Sequence, residues 1–261
     1  MVYSIPKIIH YCWFGRNPLP PLARKCIASW RKYLPDYEIK EWNEDNFDVN
    51  AIPYTREAYA AKKYAFVSDY ARFKILYEEG GLYFDTDVEV IRPLDDIIAR
   101  GPFMGCEGDA TNSATAPAVA PGLGLGVNPG LGLGVNPGQG LYKEILKFYR
   151  SISFNEDNKE KYVTVVEYVT KLLCKRGLQN IKGIQCIDGI YIYPKEYFCP
   201  LSPVESKNEI HITRNTRTIH HYAGSWLPYR TKIKQNIVRR LGTKKTSILI
   251  KIKNALFRHK R

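Results

Sequence analysis

Apolar residues in this chain fall in short runs broken by charged and turn-forming stretches, and their spacing switches between the period of a strand and that of a helix. Residues 5–14 (IPKIIHYCWF) predict a short buried strand after a proline. Leu22, Ile27 and Trp30, set among basic residues behind Pro20-Pro21, predict a helix over 20–33. YEIKEW at 37–42 alternates as a second strand. A long helix is expected over 55–79, closed by Gly80-Gly81, and the strand GLYFDTDVEV (81–90) follows at once. FMGC at 103–106 suits another short strand, LYKEILKFY at 141–149 and residues 162–176 suit helices, and 184–193 suits strand, turn and strand. Near the end, Ile248, Ile252 and Leu256 fall on one helical face with lysines around them. Strands alternating with helices predict an α/β fold.

The 261 residues, 44% hydrophobic and 13% aromatic, allow one large packed domain, expected over 1–229. A net charge of +13 suggests nucleic acid until it is located. Residues 230–261 hold 12 Lys and Arg and no acid, which leaves about +1 on the body and argues against a basic groove through the fold. The six cysteines form no CxxC pair, so zinc is not suggested. The opening MVYSIPKIIHYCWFG lacks the layout of a secretory signal, and no window of 18 apolar residues predicts a membrane span. Reduced thiols and a cytoplasmic location are the expectation.

Residues 108–140 are rich in Gly, Ala, Pro and Asn and contain GLGLGVNP twice, at 122–129 and 130–137. The glycines never give G-x-G-x-x-G, so this is no dinucleotide fingerprint. The expectation is a duplication inside a loop that tolerates length change, with an acceptor-side loop as the alternative.

The chemistry gathers at 81–90, where an apolar start ends in Asp85, Asp87 and Glu89. Residues i and i+2 of a strand share a face, so Asp85 and Asp87 are expected side by side. Two adjacent carboxylates in a dry site call for a divalent cation or clustered hydroxyl donors, and Mg2+ or Mn2+ would take their oxygens and complete its shell with phosphate. A solvated strand end is the competing account. A phosphoaspartyl phosphotransferase also begins with a hydrophobic strand and D-x-D, but Glu89 stands where that pattern wants Thr or Val. On the preceding helix, Ser68, Asp69 and Arg72 share roughly one side. Arg72 offers a planar fork for phosphate or sugar hydroxyls, Asp69 an acceptor for hydroxyls, or the two simply pair with each other.

The run SDYARFKILYEEGGLYFDTDVEV resembles the signature of the DXD-containing sugar transferases of glycosyltransferase family 32 and, more distantly, the glucosylating domains of large clostridial toxins. IPKIIHYCWFG is similar to that family's opening strand. The resemblance implies a GT-A fold, Rossmann-like, with the donor at the strand ends. It implies that Trp13 and Phe14 line the nucleobase pocket, that Asp69 and Arg72 hold ribose and sugar beside Ser68, that Asp85 contacts ribose and sugar, and that Asp87 ligates the metal. In IHHYAGSW (219–226), His221, Gly224 and Trp226 look like the H-x-x-G element of retaining GT-A enzymes. His221 is then the metal-binding candidate with His220 as the alternative, and Ser225 and Trp226 would touch the diphosphate. Tyr193 and Tyr197 are read as structural.

The resemblance further implies a metal-dependent, retaining transfer from a nucleotide-sugar, a UDP-sugar first and GDP-mannose second, to a glycan or lipid-linked glycan acceptor in surface or capsular polysaccharide synthesis. The basic tail could lie on an anionic membrane surface, on the inner face of the plasma membrane. Two other classes stay open at this point: a non-catalytic nucleotide-sugar-binding protein on the same fold, and a nucleic-acid binder with steeply salt-dependent affinity.

Overall fold

A computed structural model describes residues 4–108, 124–154, 164–201 and 210–224. Ser225, Trp226 and the basic segment 230–261 lie outside the described residues.

The sheet is assembled from β1 (Ile8–Cys12), β2 (Glu38–Trp42), β3 (Gly81–Tyr83), β5 (Phe103–Gly108), β6 (Gly126–Val127), β7 (Leu133–Val135), β8 (Gln185–Ile187) and β9 (Ile190–Tyr193), in the order β2-β1-β3-β7-β5-β9-β8, with β6 also on β5. β1 is parallel to both β2 and β3, and β5 is parallel to β9. β7 runs antiparallel between β3 and β5, so β2, β1, β3, β5 and β9 all point one way. That parallel block, crossed over by helices, is the Rossmann-like half expected of a GT-A fold. A second, two-stranded sheet pairs β4 (Val88–Val90) with β10 (Thr218–His220) antiparallel.

The first helix, α1 (Pro21–Tyr33), starts on a proline and buries Ala23, Cys26, Ile27 and Trp30, one stripe at helical spacing. Trp30 is fully buried and donates its indole N–H to the Val88 carbonyl at 2.8 Å, tying this helix to β4. The expected helix over 55–79 is two helices, α2 (Pro53–Ala60) and α3 (Tyr64–Glu79). They part at Lys62, whose φ of 59° no helix can continue through. Gly80 ends α3 at φ 68°, and a Cβ there would lie 2.6 Å from Pro137 Cδ, so the turn into β3 needs glycine twice over. The remaining helices are α4 (Asp95–Ile98), α5 (Gly140–Arg150), α6 (Val165–Lys175) and α7 (Lys195–Phe198). Tyr193 is buried against Phe103, Phe198 and Tyr197, the structural role expected of it. All six cysteines are free thiols.

Two expectations are corrected by this arrangement. GLYFDTDVEV is not one strand: β3 stops at Tyr83, and the Val88 N–H closes a turn onto the Asp85 carbonyl at 3.0 Å before β4 begins. The repeat is not an inert loop either. Its second copy supplies β7, fully buried between β3 and β5, and its first supplies β6. Alternate glycines make this work, since Gly134 sits so close to Phe103 that a Cβ would come within 2.1 Å of the ring.

Candidate active site

The centre of the site is Arg72. It projects from α3 with only 4% of its side chain exposed. One guanidinium nitrogen lies 2.9 Å from Asp69 Oδ1 and 3.3 Å from Asp85 Oδ1, and Nε donates to the Ser68 carbonyl at 3.1 Å. The Tyr83 ring lies under it at 5.0 Å, and the Tyr83 hydroxyl donates to Asp85 Oδ1 at 3.0 Å. Gly80-Gly81 returns the chain so that β3 ends beside the helix, which is why residues thirteen apart in sequence meet. Although desolvation opposes it, Asp85, Tyr83 and Asp69 hold the Arg72 pKa above its ordinary value. Burial pushes Asp69 up to about 7 against the pull of Arg72, with the charge of Asp85 adding to the rise. One cation is shared by two carboxyl groups here, and Asp69 gives up its proton only near neutrality. The Ser68 hydroxyl is turned back onto the Tyr64 carbonyl at 3.2 Å.

Asp87 faces elsewhere. Its Oδ2 accepts from the Ala223 N–H at 2.7 Å and its Oδ1 lies 3.3 Å from His220 Nε2. Because Asp85 and Asp87 sit in a turn and not on one strand face, each takes its own set of partners. Burial opposes both charges, yet the two groups hold each other ionised: Asp87 is driven below the usual carboxylate range and His220 well above the usual histidine range.

The imidazole facing the Asp87 carboxylate is that of His220, while His221 donates its backbone N–H to the Asp87 carbonyl at 2.9 Å. β10 pairs with β4 in the register His220↔Val88, and alternation along the strand sends the next side chain to the other face. His221 Nε2 lies 2.7 Å from Glu89 Oε2, and Lys25 reaches the same carboxylate oxygen at 2.7 Å. Of the aromatic pair near the start, Trp13 is partly exposed, with its indole N–H on the Asn17 carbonyl at 2.6 Å. Phe14 is 4% exposed and packs edge-on to Phe47, so of the two only Trp13 offers surface to a base.

Four contributors were not foreseen. Tyr83 was legible, being two residues before Asp85 at the end of an apolar run. The other three, Gly130, Asn128 and Glu107, come from the repeat and its neighbour strand. The Asp85 N–H donates to the Gly130 carbonyl at 3.0 Å, and a Cβ on Gly130 would lie 2.0 Å from Asp85 Oδ2. Asn128 Oδ1 accepts from the Gly130 N–H at 2.7 Å, while its amide donates to Glu107 Oε2 at 2.7 Å. Glu107 is 7% exposed, and its pKa is raised by burial although Asn128, His220 and Lys195 pull the other way. Nothing in the sequence links 128–130 to Asp85; the sheet order does.

A divalent cation has a partial donor set here. Among the described residues no group of three or more His, Cys, Asp and Glu is placed to hold one. The Asp87 carboxylate and the His220 imidazole do face each other, and the buried Nδ1 of His220 has no hydrogen-bond partner among those residues. A hard cation held by one or two protein ligands draws the rest of its shell from phosphate and water.

Residues 20–104 match the model of the glycosyltransferase sugar-binding region containing the DXD motif. Inositol phosphoceramide mannosyltransferase 3 of Schizosaccharomyces pombe is 33% identical over 99 residues, 36% of this chain and 28% of that one. An uncharacterized glycosyltransferase of Acanthamoeba polyphaga mimivirus is 34% identical over 106 residues, 38% of this chain and 42% of its own. The chain thus spans less than half the length of these curated relatives. Among solved structures, the PaToxG glycosyltransferase aligns over 66% of this chain and 70% of its own at 20% identity and a TM-score of 0.46. The galactosyltransferase LgtC, solved with donor and acceptor sugar analogs, aligns over 88% and 93% at 15% identity and 0.40. The segment that brings Asp69, Arg72, Asp85 and Asp87 together lies within the match to the glycosyltransferase sugar-binding region containing the DXD motif.

Proposed function

We propose that this chain is a metal-dependent, retaining glycosyltransferase that moves a sugar from a nucleotide-sugar to a glycan or lipid-linked glycan acceptor. The observation that carries the reading is the buried Arg72 held between Asp69 and Asp85 at the end of β3, within reach of the turn that presents Asp87. Burying a guanidinium with two carboxylates is a poor way to stabilise a fold, and a good way to fix a cation and hydrogen-bond acceptors for a polar ligand.

Glycosyl transfer requires stabilisation of the negative charge that grows on the departing diphosphate. Arg72 is preorganised for that by three contacts that fix its plane, and its surroundings are dry enough to make the charge effective. Asp69 and Asp85 would accept hydroxyls of ribose and sugar, and would face an oxocarbenium-like sugar with negative charge. Asp87 and, once its imidazolium proton is released, His220 would hold a Mn2+ or Mg2+ ion, whose contribution would be Lewis-acid neutralisation of the diphosphate. A UDP-sugar is the first donor to test; the mannosyltransferase relatives keep GDP-mannose in the panel.

The test is release of nucleoside diphosphate from a panel of UDP- and GDP-sugars with Mn2+, with EDTA, and with Asp87→Ala. Release from one donor, lost with EDTA and in the variant, is expected. A panel in which sugar nucleotides bind but none turns over, with any acceptor sugar supplied, would replace this reading with a binding protein on the same fold.

A further inference from the structure

The octapeptide repeat has a consequence for the site. Its two copies meet at Asn128-Pro129-Gly130, and that turn lies against Asp85. β6 pairs with the far end of β5 (Cys106↔Val127) and β7 with its beginning (Met104↔Leu133). Between these pairs, five residues of the repeat (128–132) stand opposite the single residue Gly105 of β5, so the turn bulges out of the sheet at the edge where β3 delivers the first acid. The Asn128 N–H is anchored on the Gly105 carbonyl at 3.0 Å. Its side chain bridges Gly130, which holds the Asp85 N–H, to the buried carboxylate of Glu107.

Resting on the donor-site reading above, we propose that Asn128 and Glu107 form the part of the site that recognises hydroxyls of the transferred sugar, and so set which sugar is accepted. A carboxylate beside a primary amide is suited to neighbouring hydroxyls, one donating to the acid and the other accepting from the amide. The pair is buried and hydrogen-bonded, so it is rigid enough to discriminate between hydroxyl configurations. Its connection to Asp85 runs through Gly130, which allows no side chain without moving the carboxylate. A site built around a hydroxyl rejects an analogue that presents it differently, because its own polar groups are left unpaired.

The repeat makes an unusually clean test possible. Deleting 122–129 or 130–137 gives the same polypeptide, in which Ala120-Pro121 stands ahead of Gly130 in place of Asn128-Pro129. The deletion therefore keeps Pro-Gly and removes the amide, as Asn128→Ala does. Affinities of UDP, GDP and a set of UDP- and GDP-hexoses and N-acetylhexosamines would be measured by calorimetry for the full chain, Asn128→Ala, Glu107→Gln and the single-copy deletion, with donor hydrolysis alongside. Nucleoside diphosphate affinity is expected to stay within about twofold, while affinity for the preferred nucleotide-sugar falls about tenfold or more and its margin over epimers narrows. Equal weakening of free nucleoside diphosphate and nucleotide-sugar would show a purely structural role and overturn the proposal. So would unchanged sugar preference in Asn128→Ala and Glu107→Gln, neither of which depends on the deletion folding. If the unaltered chain bound no nucleotide in the panel, the donor-site reading itself would fall, a result distinct from either of these.

Discussion

Arg72→Met separates a ligand-binding hub from ordinary packing. The substitution keeps an unbranched stem over Tyr83 and removes the cation that Asp69 and Asp85 share at 2.9 and 3.3 Å. Asp69 and Arg72 are 15% and 4% exposed as side chains, and Asp85 is 30% exposed. Taking one partner from a buried ion pair leaves uncompensated charge and costs about 3–5 kcal/mol. Asp85 can recover part of its hydration, so the lower end, about 3 kcal/mol, is the expectation. The loss should depend on pH. Without the cation Asp69, already raised to about 7 by burial, keeps its proton in the folded chain more strongly still, so the variant weakens further as pH rises from about 4 towards neutrality. Urea unfolding at about pH 5 and about pH 7.5 reads this directly, as a larger gap from the unaltered chain at the higher pH. Adding Asp69→Asn removes one of the stranded charges and should recover about 1–2 kcal/mol without restoring donor turnover. An Arg72→Met chain with an unchanged urea midpoint at both pH values would refute the account of Arg72 as the charge centre of the site.

Four further outcomes rest on the same geometry. Burial raises Asp69 to about 7 despite Arg72, so the folded chain keeps a proton between about pH 4 and 7 that the unfolded chain has lost; stability should fall across that window, and Asp69→Asn should flatten the fall in urea midpoints. His220→Ala should raise the Mn2+ concentration needed for half-maximal activity about tenfold or more, and His221→Ala much less, because His220 stands 3.3 Å from Asp87 while His221 is engaged by Glu89. Gly134→Ala, with its new methyl 2.1 Å from Phe103, should destabilise the fold by about 1–3 kcal/mol in urea unfolding, whereas an inert loop would tolerate it. Removing residues 230–261 and their 12 basic side chains should abolish sedimentation with anionic vesicles at low salt and leave donor hydrolysis unchanged.

The parts of this molecule that could be read from sequence are those set by local periodicity and by punctuation. The α1 positions Ile27 and Trp30 and the existence of β2 have that character, although Leu22 is only half-buried. So does the Gly80-Gly81 return that lays the DXD run beside Arg72. What could not be read depends on long-range pairing. The two GLGLGVNP copies have the composition of a loop, yet the absence of side chains on alternate residues is what lets this segment pass where large residues already fill the space, Phe103 of β5 at Gly134, and Phe84 and Phe198 of α7 at Gly132. The break at Lys62 leaves no proline or glycine as a marker. His220 and His221 were ambiguous because the face each presents is fixed by β10 pairing with β4, more than a hundred residues away.

The same distinction explains why the acids follow Tyr83 and Phe84 so abruptly. Had 81–90 continued as one strand, Asp85 and Asp87 would share a face and their repulsion would have to be offset by one ligand bound to both. The turn closed by Val88 and Asp85 divides them instead. Asp85 is committed to Arg72, Tyr83 and the Gly130 turn, the side on which a sugar would be read. Asp87 is committed to His220 and Ala223, the side on which a cation and diphosphate would be held. Each carboxylate is thus stable in the free chain, and a donor spanning the turn would meet two preformed half-sites. In that arrangement a mutation at Gly130 should change which sugar is bound before it changes metal dependence, and a mutation at His220 should do the reverse.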